Sequence, residues 1–168
     1  MDRLDGFAEY AGARQRHLRR SAYLLCGDWD LAEDLTQTML VNLCRSWGRA
    51  QLADSLDAYA HTVLVNTFLR HKRKYQRQEE RAVEFASGRP ETAPEVPTDL
   101  RLSLQAALQL LPPRARAVVV LRYWEDLSVE ATAAALGCSV GNVKSQTSRA
   151  LARLREIVGD SLIDSNLR

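Results

Sequence analysis

The sequence predicts an all-α protein made of two small helical domains joined by a flexible linker. Leu, Ala and Arg are abundant, whereas Gly and Pro number only 8 and 5 in 168 residues. Alternating strand patterns are scarce, and apolar residues recur at helical spacing on both sides of a Pro-rich stretch. The length suffices for one or two domains, and 46% hydrophobic with 26% charged residues is ordinary for a globular protein.

The first predicted domain, residues 1–81, contains three amphipathic helices, because apolar side chains recur at helical spacing within residues 7–26, 30–47 and 56–74. The third helix runs into a basic stretch that contains Arg70, Lys72, Arg73, Lys74, Arg77 and Arg81. Such a run is usually a solvated helix end, since cations favour a helix C-terminus. Here it follows an exposed Asn66, one turn before the first arginine, which favours contact with a nucleic-acid backbone.

Residues 82–98 are predicted to form the linker. Pro90, Pro94 and Pro97 lack the backbone donor that a helix needs, and too few large apolar side chains remain to build a core. A long surface loop within a single domain is the alternative. We favour the linker because the flanking segments on both sides have the composition of self-sufficient domains.

The second predicted domain, residues 99–158, begins with a helix over residues 99–111 that Pro112 and Pro113 stop. A new helix starts there, because Pro is tolerated in a first turn. With the two helices that follow, this makes a four-helix unit. Its expected core contains Leu108, Leu111, Val118, Leu121, Leu136, Val143 and Leu151. Residues 159–168 form a short C-terminal tail.

The last two helices of this domain have the pattern of a helix-turn-helix. Ser128 and Ser139 can cap the two helices, and Gly137 allows the left-handed conformation that ends the first. The second helix is expected to bury one apolar face. Its other side carries Asn142, Lys144, Ser145, Gln146, Ser148, Arg149 and Arg153. Such a face can enter the DNA major groove, although an ordinary solvated surface helix has a similar pattern.

Composition excludes several function classes. A net charge of only +2 excludes a uniformly basic coat, so contact with nucleic acid must come from local clusters. The sequence offers no nucleotide-binding loop and no catalytic motif, and its three Cys and three His match no metal-ligand spacing. We therefore expect a non-enzymatic, cytoplasmic protein without cofactor, metal or membrane insertion.

The helix over residues 30–47 exposes acidic and amide side chains at Glu33, Asp34 and Gln37. Acids near a helix N-terminus favour the helix dipole, which is the simpler explanation. Acids cannot bind DNA phosphates, so a functional role for them requires a basic protein partner.

Three segments resemble the successive signature segments of extracytoplasmic-function (ECF) RNA polymerase sigma factors, a group of the sigma-70 superfamily. They are AEDLTQTMLVNLCRSW, AYAHTVLVNTFLRHKRK and LPPRARAVVVLRYWEDLSVEATAAALGCSVGNVKSQTSRALARLR. Their order and spacing fit that family over nearly the whole chain. The resemblance implies that residues 1–81 are sigma domain two, that residues 99–158 are sigma domain four, and that the protein directs promoter-specific transcription initiation.

The resemblance also implies roles for individual residues. Asp34, Leu35 and Gln37 match the surface that binds core RNA polymerase. Asn66, Arg70, Arg73 and Lys74 match the residues that meet the melted strand of the minus-ten element, and the loop from about Gly48 to Asp57 matches the loop that captures a flipped base. Lys144, Ser145, Gln146, Ser148 and Arg149 match the helix that contacts the duplex minus-thirty-five element. Many relatives also have an anti-sigma factor, so the family allows such a partner without identifying it.

Two other functions remain open on the residues alone. A helix-turn-helix regulator would bind duplex operators as a dimer, without core polymerase. A helical adaptor would bind proteins only and would leave both polar faces without nucleic acid.

Overall fold

A computed structural model describes residues 3–85 and 104–159, which are helical and contain no β-strand. The first module, residues 3–85, contains α1 (Phe7–Cys26), α2 (Trp29–Arg45), α3 (Trp47–Leu52) and α4 (Leu56–Phe85). The second module, residues 104–159, contains α5 (Leu104–Gln109), α6 (Pro113–Val119), a π-helical segment (Val120–Trp124), α7 (Val129–Leu136) and α8 (Val140–Val158). The predicted all-α class is confirmed.

The helix-turn-helix forms for the local reasons that its sequence indicates. The backbone N–H groups of Ala131 and Asn142 donate to the hydroxyls of Ser128 and Ser139, each at 3.0 Å. Gly137 ends α7 in the left-handed conformation, with φ of 64°. The predicted caps are confirmed, and they fix where both helices of the motif begin.

Two boundaries differ from the sequence-based expectation. Helix α4 continues to Phe85, four residues into the segment assigned to the linker, because neither Pro nor Gly occurs before Gly88. The rest of that linker and the tail beyond Gly159 lie outside the described residues. The expected loop from Gly48 to Asp57 is mostly helical, because α3 extends to Leu52 and α4 begins at Leu56.

The first module packs α1, α2 and α4 around a core drawn from the predicted amphipathic segments. Its fully buried large side chains are Leu18, Leu25, Met39, Leu43, Leu64 and Phe68. Helix α4 is apolar over more than one face, since the neighbouring residues Leu64 and Val65 lie about 100° apart around the helix and are both buried. Helices α1 and α2 cannot cover both faces.

The second module covers the remaining apolar surface of the first. A single hydrophobic cluster joins Leu18, Leu64 and Phe68 with Val118, Leu121, Leu136 and Val143. Helices α6 and α7 both pack on α4. The two modules, which we expected to be self-sufficient domains, therefore share one hydrophobic core, because α4 has more apolar surface than its own module can bury.

The core predicted for the second module is divided in consequence. Leu108 and Leu111 lie in a smaller cluster, against which Leu151 is half-buried. The other predicted core residues belong to the cluster shared between the modules. The smaller cluster holds α5 and α8 together, so the second module keeps an interior of its own.

Candidate nucleic-acid interface

Helix α8 presents a polar face to solvent. Its buried face consists of Val143, Ala150 and Leu154. Four of the five residues predicted to contact the minus-thirty-five element, Lys144, Ser145, Ser148 and Arg149, are exposed. The fifth, Gln146, is half-buried and its side-chain amide donates to Asn142 one turn earlier. The structure thus brings the predicted set onto one side of one helix, with Gln146 held by an intrahelical bond.

A groove of about 360 Å³ lies beside this face and carries additional positive charge. Arg122 and Arg155 line it together with Lys144 and Ser148. The Arg122 guanidinium donates to the backbone oxygen of Leu127 at 2.6 Å, which fixes its position. Neither arginine was predicted from the sequence. Arg122 belongs to the π-helical segment, so only the tertiary fold places it next to α8, and Arg155 lies beyond the polar residues to which the family resemblance gives a role in DNA contact.

The basic side of α4 is exposed where the sequence predicts contact with the minus-ten strand. Arg70, Arg73 and Lys74 are exposed, and Asn66 is half-buried one turn earlier. Arg70 and Lys74 also line a groove of about 380 Å³, and Asp34 of α2 lies in the same groove. The predicted DNA-binding and polymerase-binding surfaces of the first module are therefore contiguous.

The predicted polymerase surface on α2 requires one correction. Asp34 and Gln37 are exposed, but Leu35 is only 3% exposed and belongs to the core. Its position on the helix, next to Ala32 and Met39 of the buried stripe, points it inward. Leu35 can hold α2 in place, but its side chain does not form part of an exposed partner surface.

The end of α3 exposes a large apolar side chain. Leu52, the last residue of α3, is 86% exposed. The expected loop narrows to residues 53–55, which lie outside helices. An isolated exposed leucine is common, but this one lies in the segment for which the family resemblance implies base capture.

Polar groups of the second module also bind the C-terminal end of α1. The Arg116 side chain is 4% exposed, and its guanidinium donates to the backbone oxygens of Leu108, Gln109 and Leu111 at the end of α5 and to Leu25 at the end of α1. Burial lowers the pKa of Arg116 to about 10, so it stays charged at neutral pH. One cation therefore caps helices from both modules.

The amides of α5 bind the same end of α1. Gln105 donates to the backbone oxygen of Tyr23 at 2.8 Å, and Gln109 donates to that of Leu24 at 3.1 Å. Gly27, which ends α1 with φ of 76°, lies so close to Gln109 that an added Cβ would be 2.7 Å from its side chain. Contact at this end is therefore close as well as polar.

A second polar contact between the modules is centred on Glu125. Nε2 of His17 and Nε2 of His61 lie 2.9 and 2.8 Å from Oε2 of Glu125, and the Ser21 hydroxyl donates to Oε1. Burial alone would raise the pKa of Glu125, but the hydrogen bonds from His61, Ser21 and His17 outweigh it and hold the pKa at about 2. The carboxylate is therefore ionised between two imidazoles.

Comparison with known proteins supports both modules. Residues 11–78 match the family model described as Sigma-70 region 2, and residues 101–154 match Sigma-70, region 4. The chain is 42% identical over 150 residues to the RNA polymerase sigma-E factor of Streptomyces coelicolor, covering 89% of this chain and 84% of that protein. It is 35% identical to the ECF RNA polymerase sigma factor SigE of Mycolicibacterium smegmatis, over 82% of this chain and 55% of the relative.

A solved structure resembles the chain as a whole. It is that of the sigma factor RpoE in complex with the anti-sigma factor NepR from Bartonella quintana, with a TM-score of 0.72 and 27% identity over 92% of this chain and 98% of that one. A single module is about half of the chain, too little to give this score alone. The superposition therefore includes both modules in a similar relative arrangement.

Proposed function

Because the chain belongs to the extracytoplasmic-function group of sigma-70 RNA polymerase sigma factors, we propose that its two modules recognise the two elements of one promoter while bound to core RNA polymerase. The observation that carries this proposal is the exposure of two separate basic surfaces, one on α4 and one on α8. The comparisons favour this function over that of an operator-binding regulator that acts without polymerase.

The first module binds polymerase and the melted minus-ten strand. Asp34 and Gln37 supply the polymerase contact, and Leu35 supports it from the core. Arg70, Arg73 and Lys74 contact the backbone of the separated strand, with Asn66 beside them. Leu52 provides an apolar contact for an unpaired base. Contacts that are made only to unpaired bases favour the open strand over the duplex.

The second module binds the duplex minus-thirty-five element. Lys144, Ser145, Ser148 and Arg149 face the major groove, and Gln146 reaches a base edge only if it gives up its bond to Asn142. Arg122 and Arg155 lie where they can neutralise the adjacent phosphates. The protein acts by binding alone, without chemistry of its own.

In the closed arrangement that the structure shows, the two modules cannot bind the two promoter elements at the same time. Their positions, minus ten and minus thirty-five, are about 25 base pairs apart, or about 85 Å along the duplex. A compact chain of 168 residues has a radius of gyration of about 15 Å, and therefore a diameter of about 40 Å. The modules must separate on polymerase, where tethering turns two weak contacts into one strong one.

The closed arrangement is the form that an anti-sigma factor would bind. The RpoE structure is a complex with the anti-sigma factor NepR, and its similarity to this chain extends over both modules. We infer that an anti-sigma partner of this protein would hold the modules closed and so prevent promoter recognition. No helix in residues 3–85 or 104–159 is long and apolar enough to cross a membrane. We propose that this protein acts in the cytoplasm, together with core polymerase.

The proposal is tested by transcription in vitro with purified core polymerase, followed by mapping of the start sites. Asp34→Arg should abolish both co-purification with core polymerase and transcription, because it reverses the charge of an exposed acid on the proposed contact surface. Glu9→Arg makes the same charge change at an exposed site on α1 and should leave both intact. Normal assembly of the Asp34→Arg protein would contradict the assignment of α2. Specific gel shifts on duplex DNA without polymerase would favour the operator-binding function.

A further inference from the structure

Three side chains from the two modules converge on one point. His17 lies on α1, His61 on α4 and Glu125 directly after the π-helical segment. Their ligand atoms, two imidazole nitrogens and a carboxylate oxygen, all lie within 4.8 Å of one another. Within the part of the chain that the structure describes, this is the one group of three His, Cys, Asp or Glu side chains that converges in this way.

We propose that His17, His61 and Glu125 bind a transition-metal ion with the coordination preferences of zinc, and that this ion ties the two modules together. Two imidazoles and one carboxylate are a ligand set found at three-ligand zinc sites, which leave a fourth position for water. Mg²⁺ and Ca²⁺ prefer oxygen ligands, so a site with two imidazole ligands disfavours both ions.

The three ligand atoms lie within 4.8 Å of one another, so accepting the ion requires shifts of the two imidazoles. Metal–ligand bonds of about 2.0–2.2 Å in a tetrahedral arrangement separate ligand atoms by about 3.3 Å. The two imidazole nitrogens now lie 2.9 and 2.8 Å from the carboxylate oxygen, so each must move outward by about half an ångström. Both histidines present Nε2, so each would coordinate as the neutral imidazole with its proton on Nδ1.

Neighbouring groups hold these ligands in place. The Ser21 hydroxyl donates to the second carboxylate oxygen of Glu125, and the indole N–H of Trp124 donates to the Ser21 oxygen at 3.0 Å. The ring of His17 stacks on Trp124, with centroids 5.9 Å apart and an interplanar angle of 8°. Supporting contacts of this kind orient metal ligands and raise affinity.

Access to the site is one-sided. The side chains of His61 and Glu125 are 5% and 4% exposed, whereas that of His17 is 34% exposed. An ion can therefore enter past His17 and become largely enclosed. In the closed arrangement Nδ1 of His61 has no hydrogen-bond partner, which limits the affinity that three ligands can give.

Because the ligands come from both modules, the ion binds the closed arrangement and not the open one. At a free metal concentration about 100-fold above the dissociation constant, the closed form gains about 100-fold over any form that lacks the site. The consequence for transcription, inhibition by the metal, rests on the function proposed above. Metal binding itself does not.

The test is a titration of the purified full chain with Co²⁺, followed by displacement with Zn²⁺. Co²⁺ in a site of low coordination number absorbs visible light far more strongly than the aqueous ion. We expect such bands with the unmodified protein, their loss on adding Zn²⁺, and a zinc-dependent rise in Tm of roughly 5–10 °C at saturation. Absence of the bands would overturn the proposal.

Matched histidine variants identify the site. His17→Gln should weaken binding by at least about tenfold, because even the loss of a supporting contact to a ligand costs about 10–100-fold. Because the His17 side chain is partly exposed, the variant should keep the fold of the unmodified protein, and circular dichroism checks this. His71→Gln, at the third histidine, should bind like the unmodified protein. Equal binding by both variants, or strong thiolate-to-cobalt absorption, would place the ion elsewhere and overturn the proposal. The titration uses no polymerase, so a negative result would overturn the metal site and leave the proposed promoter recognition unaffected.

Discussion

Replacing Gly27 by Ala should weaken the contact between the modules, and the chain supplies a matched control. Gly27 and Gly137 both end a helix in the left-handed conformation, with φ of 76° and 64°. A Cβ at Gly27 would meet the Cδ and Cγ atoms of Gln109 at 2.7 and 2.9 Å, whereas a Cβ at Gly137 would meet nothing within 4 Å. Both substitutions strain the backbone, but only Gly27→Ala disturbs the contact between the two modules.

The magnitudes follow from these contacts. A non-glycine residue in the left-handed region costs about 1–2 kcal/mol, which both variants share. Gly27→Ala must also displace Gln109, whose amide donates to the backbone oxygen of Leu24 at 3.1 Å. Loss of that bond costs about 0.5–1.5 kcal/mol. Gly27→Ala should therefore lower the free energy of unfolding by about 1.5–3.5 kcal/mol and Gly137→Ala by about 1–2 kcal/mol.

Urea unfolding of both variants, alone and with Gln109→Ala, measures the difference. The Gln109→Ala change removes the three atoms nearest to the new Cβ, so Gly27→Ala should then cost about as much as Gly137→Ala. The shared cluster also requires a single unfolding transition for both modules. An equal cost for the two glycines with Gln109 present would refute the packing of α5 on α1. Two separate transitions would refute the cluster shared between the modules.

Two further substitutions test the surfaces. Arg149→Ala should weaken recognition of the minus-thirty-five element by about 1–3 kcal/mol. Arg153→Ala is the control and should have little effect on base preference, because Arg153 lies a turn further along α8 and pairs with Glu156 at 3.0 Å. Transcription from promoters mutated in the upstream element checks both. Leu35→Ala should lower the free energy of unfolding by about 2–5 kcal/mol because the side chain is buried, whereas Asp34→Ala should leave it nearly unchanged, as urea unfolding would show.

Local chemistry made much of this fold predictable from the sequence. Ser128, Gly137 and Ser139 determine helix ends by their own side chains and backbone preferences, so their roles do not depend on distant residues. The exposed face of α8 follows from helical periodicity for the same reason. Leu35 shows the limit of transferring a role from a family motif, because the periodicity of α2 places it on the buried stripe.

The features that the sequence did not predict depend on contacts between distant residues. His17 and Glu125 are 108 positions apart, and no spacing rule joins them. Arg122 lies in the π-helical segment that continues α6, and only the tertiary fold brings it beside Lys144 of α8. The shared cluster was unforeseen because helical periodicity shows that α4 has apolar residues on more than one face, but does not show what covers them.

The composition of the contact between the modules explains how it can both close and open. Its polar groups, the guanidinium of Arg116 and the carboxylate of Glu125, can exchange their protein partners for water when the modules separate, so they add little net preference for closure. Its apolar groups cannot. Phe68 is fully buried and lies 5.7 Å from the Arg116 guanidinium, and Leu121 is fully buried in the same cluster. Separation exposes both, so the open form requires a partner that covers them. In the function proposed above, core polymerase would supply that cover, whereas an anti-sigma factor would only preserve what the chain already buries.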